Sequence, residues 1–299
     1  MQKWVDRAGI AIGALTTKKY RYFSDNIDSP RVSEIMESLD MQLPEITGEG
    51  YYPFRINWEE KKLEGAYFVE QWLSDNHPAI IYHHGAAEGS YDFSFKRIIA
   101  SRKKEIQGNL IAIQAPYNQS NKEFLESIRD IANYTSMLAT SVMIIDGLIE
   151  QLRKRGCPKT LVTGLSLGGF VTNLHFAYRN TADEYRPIFA GGKMSDAFLY
   201  SAYSRITAPY AKDHPNALEG ILDFEKDMKR KDQHKLFPML GEQDQIVRLE
   251  VQKNSYPSAE IRTVPYGHAT GSIRFGMLRE YILEGLNNME DMKDGEGIR

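Results

Sequence analysis

Thr160-Leu-Val-Thr-Gly164-Leu-Ser166-Leu-Gly168-Gly169-Phe-Val-Thr-Asn-Leu174 is the stretch on which the reading of this chain turns. It begins as a short apolar run, as expected of a strand covered on both faces. Phe170, Val171, Leu174 and Ala177 then recur at helical spacing. Between strand and helix lies G-x-S-x-G, a turn so sharp that a side chain two positions either side of Ser166 would strike the chain across it. Gly164 and Gly168 remove those side chains. The helix that follows aims its free N–H groups and the positive end of its dipole at the same spot, so negative charge developing beside Ser166 is stabilised there. The pentapeptide alone fits equally well a turn that only joins a strand to a helix. The rest of the chain has to decide.

On either side of this stretch the pattern alternates between strand and helix. Tyr51–Trp58 and Gly65–Leu73, separated by Glu-Glu-Lys-Lys, read as an N-terminal hairpin forming the antiparallel edge of a sheet. Ala79–His83, Leu110–Gln114 and Thr160–Thr163 read as central parallel strands. Ser120 and Glu123 make a capping box for helix carrying Phe124, Ile128, Ile131 and Leu138, and the stripe continues through Val142, Ile145, Leu148, Ile149 and Leu152 to a stop at Gly156. Further strands are expected at Pro187–Ala190, Leu236–Leu240 and Glu260–Val264, with a last helix over Ser272–Leu286. The fold class is therefore α/β: a mostly parallel central sheet with an antiparallel N-terminal edge and helices on both faces. Residues 1–50 are expected to be an extension packed on the core, 51–286 the main domain, and 287–299 a polar tail. Residues 195–234, with Phe198, Tyr200, Tyr203 and Tyr210, are long enough for a small helical lid that selects the substrate.

Three more sites fall at the carboxyl ends of expected strands, where open α/β sheets build their sites. Ala79-Ile-Ile-Tyr-His83-His84-Gly85-Ala86-Ala87 runs from an apolar strand into small residues that let backbone approach a ligand oxygen. Phe237-Pro-Met-Leu-Gly241-Glu-Gln-Asp244-Gln-Ile-Val247 ends a strand in a glycine and an acid. Pro265-Tyr-Gly-His268-Ala269 places a histidine directly before the last helix. With Ser166, the order along the chain is serine, aspartate, histidine.

Over about residues 50 to 286 the chain resembles the α/β-hydrolase superfamily, with a loose likeness to its dienelactone-hydrolase-like and esterase members. The resemblance implies Ser166 as nucleophile, His268 as base and Asp244 as the acid that orients the base. It also implies oxyanion donors at the N–H groups of Ala86 and Leu167, with His84 and Gly85 supporting the loop, and an acyl-enzyme mechanism that needs no cofactor. Asp196, after the preceding strand, is the rival for the orienting acid. Serine at the turn, where dehalogenases and epoxide hydrolases of this fold carry aspartate, leaves esters, thioesters and amides. The expected substrate is a small carboxylic ester or thioester. The alternatives are a peptidase or amidase on the same residues, and a non-catalytic scaffold that binds a small ligand or protein partner.

Composition narrows the partners. Hydrophobic residues make up 42% and charged residues 26% of 299, enough for a packed core. A net charge of −3 gives no general attraction to nucleic acid or anionic lipid. Neither a P-loop nor a dinucleotide glycine pattern is present, and the seven histidines form no H-E-x-x-H pair. His83 and His84, read as neighbours on an extended strand, should project to opposite faces, so no metal is expected. One cysteine, Cys157, allows no internal disulfide, and the opening MQKWVDRAGIAIGAL lacks a convincing secretory pattern. With no apolar run of membrane-spanning length, a cytoplasmic protein is expected.

Overall fold

The computed structural model describes residues 20–86, 88 and 92–287. Their nine strands form one sheet: β1 (Asp40–Met41), β2 (Gly50–Trp58), β3 (Lys61–Gln71), β4 (Ala79–His83), β5 (Asn109–Gln114), β6 (Thr160–Leu165), β7 (Glu184–Ile188), β8 (Met239–Gly241) and β9 (Arg262–Val264). The spatial order is β1-β2-β3-β5-β4-β6-β7-β8-β9. Pairing is antiparallel from β1 to β5 and parallel from there on. The helices are α1 (Val32–Ser38), α2 (Phe93–Ile98), α3 (Asn121–Ser127), α4 (Ile131–Lys154), α5 (Leu167–Tyr178), α6 (Ser195–Leu199), α7 (Pro209–Lys212), α8 (Pro215–Leu222), α9 (Glu225–Lys229), α10 (Leu249–Gln252), α11 (His268–Ser272) and α12 (Phe275–Asn287).

The period-2 alternation of a strand explains why the central strands are apolar throughout. In β4, Ala79 and Ile81 face a core shared with α1, α4 and α5, while Ile80 and Tyr82 face one shared with α2 and α12. Both faces are covered, so every β4 residue is buried. Residues 20–49 add Tyr22, Phe23, Val32, Ile35, Met36 and Ile46 to the first of these cores.

Several expected boundaries move. The hairpin turn tightens to Glu59-Glu60, with Trp58 opposite Lys61 and Glu59 at φ 52°. The helix expected after Ser120 is two helices. Ser120 Oγ does accept from the Glu123 N–H, at 3.2 Å, but Asp130 interrupts the stripe by capping α4 through the Ala132 N–H, at 2.8 Å. Strand β7 is Glu184–Ile188 rather than Pro187–Ala190. Its charged residues are compatible with burial because Arg186 Nε sits 2.5 Å from Glu184, whose other oxygen takes Lys159 at 2.8 Å. Strands β8 and β9 keep three residues each, and the last helix, α12, starts at Phe275 rather than Ser272, with the short α11 before it. The polar tail from residue 288 lies outside the described residues.

Helix α5 is pressed against the sheet where the site forms. A Cβ at Gly168 would lie 2.1 Å from the His83 carbonyl oxygen, and one at Gly164 would lie 2.5 Å from Gly168 backbone. Gly220, in α8, faces open space. Gly168→Ala is therefore expected to cost about 3 kcal/mol or more, because only backbone can give way. Gly220→Ala is expected to stabilise by up to about 1 kcal/mol through helix propensity. Urea unfolding of both variants checks the pair; equal midpoints would mean that α5 does not bear on β4.

Candidate active site

Ser166 stands between β6 and α5 at φ 55°, ψ −108°. A residue with a Cβ adopts a positive φ only at a cost, of order 1–3 kcal/mol. The Ser166 N–H donates to the Ile188 carbonyl at 2.9 Å, which ties the turn to the end of β7. The side chain then projects from the carboxyl edge of the sheet at the head of α5.

His268, the first residue of α11, presents Nε2 to Ser166 Oγ at 2.8 Å. Its Nδ1 meets Asp244 Oδ2 at 2.7 Å. Asp244 Oδ1 accepts from the N–H groups of Ile246 and Val247, both at 2.8 Å. With Nδ1–H donating to the carboxylate, Nε2 is left as the acceptor for the serine proton. Both His268 and Asp244 are buried, so little water competes for these bonds. The structure thus brings Ser166, His268 and Asp244 into one line. Asp196 is elsewhere engaged: both its oxygens are taken by Arg248, Nε at 3.0 Å and Nη2 on the other oxygen.

Ala86 and Leu167 both border the same cleft as Ser166. Leu167 opens α5, so its N–H belongs to the free first turn. The loop before Ala86 is held from below. The Gly85 N–H donates to Glu88 Oε1 at 2.5 Å, and the same carboxylate accepts from Ser94 Oγ at 2.8 Å and from the Ser94 N–H at 2.9 Å. A Cβ at Gly85 would sit 2.7 Å from Glu88 Oε1. Burial raises the Glu88 pKa above the ordinary carboxyl range, against these three donors. Glu88 is absent from the residues singled out in the sequence; its only signal there is an acid three positions after Gly85.

His83 and His84 do not project to opposite faces. The strand ends at His83, and the chain turns so that the two rings stack 4.6 Å apart at 29°. His84 Nδ1–H donates to the Gly85 carbonyl at 2.8 Å, and Nε2 accepts from the Ala115 N–H at 3.2 Å. Both ring nitrogens therefore serve the loop in the neutral form. Among the described residues, no group of three or more His, Cys, Asp and Glu side chains gathers to hold a metal, and no helix is long and apolar enough to cross a membrane.

Two further residues shape the site without a signal in the sequence. Phe189, fully buried at φ 52°, lays its ring 5.8 Å from the His268 ring. A Cβ at Gly271 would strike that ring at 2.5 Å, so the glycine lets α11 settle on Phe189. The cleft beside Ser166 has an empty volume of about 340 Å³, part of it open to solvent, and includes Tyr22, Tyr134, Phe198 and Tyr203 in its lining.

No protein-family model matches the chain, and no curated protein matches it in sequence. Solved structures do match in shape. An acylaminoacyl peptidase from Pyrococcus horikoshii is 16% identical at a TM-score of 0.55, over 83% of this chain and 42% of its own. The chain thus spans less than half the length of that peptidase. An acetyl xylan esterase from a Thermoanaerobacterium species is 14% identical at 0.55, over 88% and 96%. An α/β-hydrolase enzyme from a deep-sea metagenome library is 14% identical at 0.52, over 78% and 97%. At such identities the likeness speaks for the fold, and the fold of this chain is that of the α/β-hydrolases.

Burial pushes the His84 imidazole down to about 4, and His83 falls below the ordinary range for the same reason, reinforced by His84. A base whose folded pKa is depressed contributes stability that is complete above about pH 6.5 and is lost as pH falls towards 4, because the unfolded chain takes up the proton first. For His84 the loss amounts to about 3 kcal/mol. Asp223, raised by burial to about 6, works in the opposite sense over the same window. Chemical denaturation of wild type and His84→Asn between about pH 7 and 4 is expected to show a shallower acid limb in the variant. Parallel curves would mean that His84 titrates as an exposed imidazole does.

Proposed function

We propose that the protein is a serine hydrolase that cleaves a small carboxylic ester or thioester through an acyl-enzyme. The observation that carries this reading is the unbroken line from Ser166 Oγ through His268 to Asp244, at 2.8 and 2.7 Å, at the head of a helix. Its parts are complementary in role. Ser166 Oγ attacks the carbonyl carbon while its proton passes to His268 Nε2. The imidazolium that forms faces the Asp244 carboxylate, which holds the ring in the correct tautomer. The carbonyl oxygen becomes an oxyanion beside Leu167 and Ala86, whose N–H groups are the donors that do not have to reorganise. Collapse expels the alcohol or thiol with the proton from His268. Water then repeats the attack on the acyl-enzyme and regenerates Ser166.

The solved structures of like fold include an acetyl xylan esterase and an acylaminoacyl peptidase, so both ester and peptide chemistry occur among them by name. The cleft favours an ester with a small acyl group, because Tyr22, Tyr134, Phe198 and Tyr203 line it beside Ser166 and leave little enclosed room. A thioester of the same acyl group fits the same reading.

A fluorophosphonate is expected to label Ser166 in the folded protein, and Ser166→Ala is expected to abolish labelling. With a p-nitrophenyl ester, Asp244→Asn is expected to lower kcat by about four orders of magnitude. Asp196→Asn should act far more mildly, through the loss of its pairing with Arg248. Labelling at a different serine, hydrolysis of anilides in preference to esters, or the reverse ranking of the two aspartates would overturn the proposal.

A further inference from the structure

The sheet and its helices leave one side of the cleft to a segment that precedes them. Residues 20–27 run as a strap between two elements. On one side the Tyr22 N–H donates to the Ile206 carbonyl at 2.9 Å and the Ala208 N–H donates to the Tyr22 carbonyl at 3.0 Å. On the other the Phe23 N–H donates to the Ile128 carbonyl at 2.9 Å, the Asp25 N–H to the Arg129 carbonyl at 2.8 Å, and the Ile131 N–H to the Asn26 carbonyl at 3.1 Å. Side chains repeat the fastening, with Asn26 Nδ2 donating to Asp130 at 2.8 Å and Arg129 pairing with Asp25 at 2.8 Å.

This strap buries two aromatic rings and holds the backbone of one of them, Phe23, in the left-handed region. Phe23 sits at φ 59° and is fully buried, and Tyr22 is 5% exposed, although Ser24 beside them is exposed. A bulky residue in the left-handed region persists only where its surroundings hold it there. The rings close on the lid and on α4. Tyr22 lies 4.8 Å from Phe198, 6.0 Å from Tyr203 and 6.1 Å from Tyr134; Phe23 lies 5.0 Å from Phe198. Tyr22, Phe198, Tyr203 and Tyr134 all line the cleft that Ser166, Ala86 and Leu167 also line.

We propose that this strap is the specificity element of the site: Tyr22, backed by Phe198, sets the length of the acyl chain and restricts the enzyme to short acyl groups. The inference rests on the serine hydrolase reading. The cleft is assigned to the acyl side because the substituent on the carbonyl carbon stays bound to Ser166 and remains beside Ala86 and Leu167 after the leaving group has gone. Each methylene that still finds apolar room adds about 0.8 kcal/mol, close to fourfold in kcat/KM. Where the chain meets the Tyr22 ring the gain stops, and further methylenes cost more than they add, because the ring is held by backbone bonds on both sides.

The test uses the full chain and p-nitrophenyl esters from acetyl to octanoyl, with a second series of acetyl esters that vary the alcohol. Wild type is expected to peak at the short end and to fall by about tenfold or more at octanoyl. Tyr22→Ala, or the milder Tyr22→Leu if that variant folds poorly, should raise the octanoyl-to-acetyl ratio of kcat/KM by about tenfold or more. Tyr22→Phe should keep the wild-type profile, and the alcohol series should keep its shape in all three. Fluorophosphonate labelling of Ser166 verifies that each variant retains a folded site. A wild type that hydrolyses octanoyl and acetyl esters alike, an unchanged ratio in Tyr22→Ala and Tyr22→Leu, or a change confined to the alcohol series would overturn the assignment of the strap. Absence of ester hydrolysis together with absence of labelling in wild type would instead bring down the hydrolase reading, and the strap's role with it.

Discussion

Ser166 carries its side chain on a backbone at φ 55°, ψ −108°, and the surrounding structure is arranged to keep it there. The turn needs α5 to start within touching distance of the ends of β4 and β6, which is why side chains are missing at Gly164 and Gly168. It also needs an anchor on the far side, supplied by the bond from the Ser166 N–H to Ile188 at the end of β7. Strain of order 1–3 kcal/mol is sustained because the parallel sheet over-determines the position of each strand end. The result is a hydroxyl fixed at the mouth of a helix dipole before any substrate arrives.

Beside that fixed point two buried carboxylates, Asp196 and Asp244, are given different partners. Asp196 and Asp244 are both almost fully buried, and buried polar groups need hydrogen-bond partners. Arg248, four residues after Asp244, reaches across and takes both oxygens of Asp196. Asp244 is left with two backbone donors and His268. The loop that carries Asp244 therefore also supplies the arginine that pairs with Asp196. This pairing also joins the acid loop to α6, whose Phe198 and Ala197 line the cleft.

Much of this was legible in the residues because it is local. The glycines of the turn, the apolar run of β4 and the acid and histidine after later strands are short-range signals, and Ser166, Asp244 and His268 are the side chains that meet. What the sequence hid depends on distant partners. The strand expected at Pro187–Ala190 begins three residues earlier, at Glu184, because the burial of Glu184 and Arg186 is made possible by each other and by Lys159. The apolar stripe from Phe124 to Leu152 gives no sign of a break, whereas the bonds of Asp130 to Ala132 and Asn26 start a second helix within it. His83 and His84 were placed on opposite faces by a strand period that stops at His83. Tyr22 gave no signal, since the strap has no periodicity and takes its order from backbone bonds to segments more than a hundred residues away.

In the proposed reaction the Ser166 hydroxyl, held by backbone geometry and linked through His268 to Asp244, forms a covalent acyl intermediate. The most direct measurement is rapid acid quenching of wild type with p-nitrophenyl acetate, followed by intact mass and peptide mapping. The account predicts a transient increment of one acetyl group located on Ser166, formed at the rate of the p-nitrophenol burst and lost as turnover proceeds. Steady release of p-nitrophenol without an adduct under conditions that trap acyl-enzymes, or an adduct on any other residue, would contradict it.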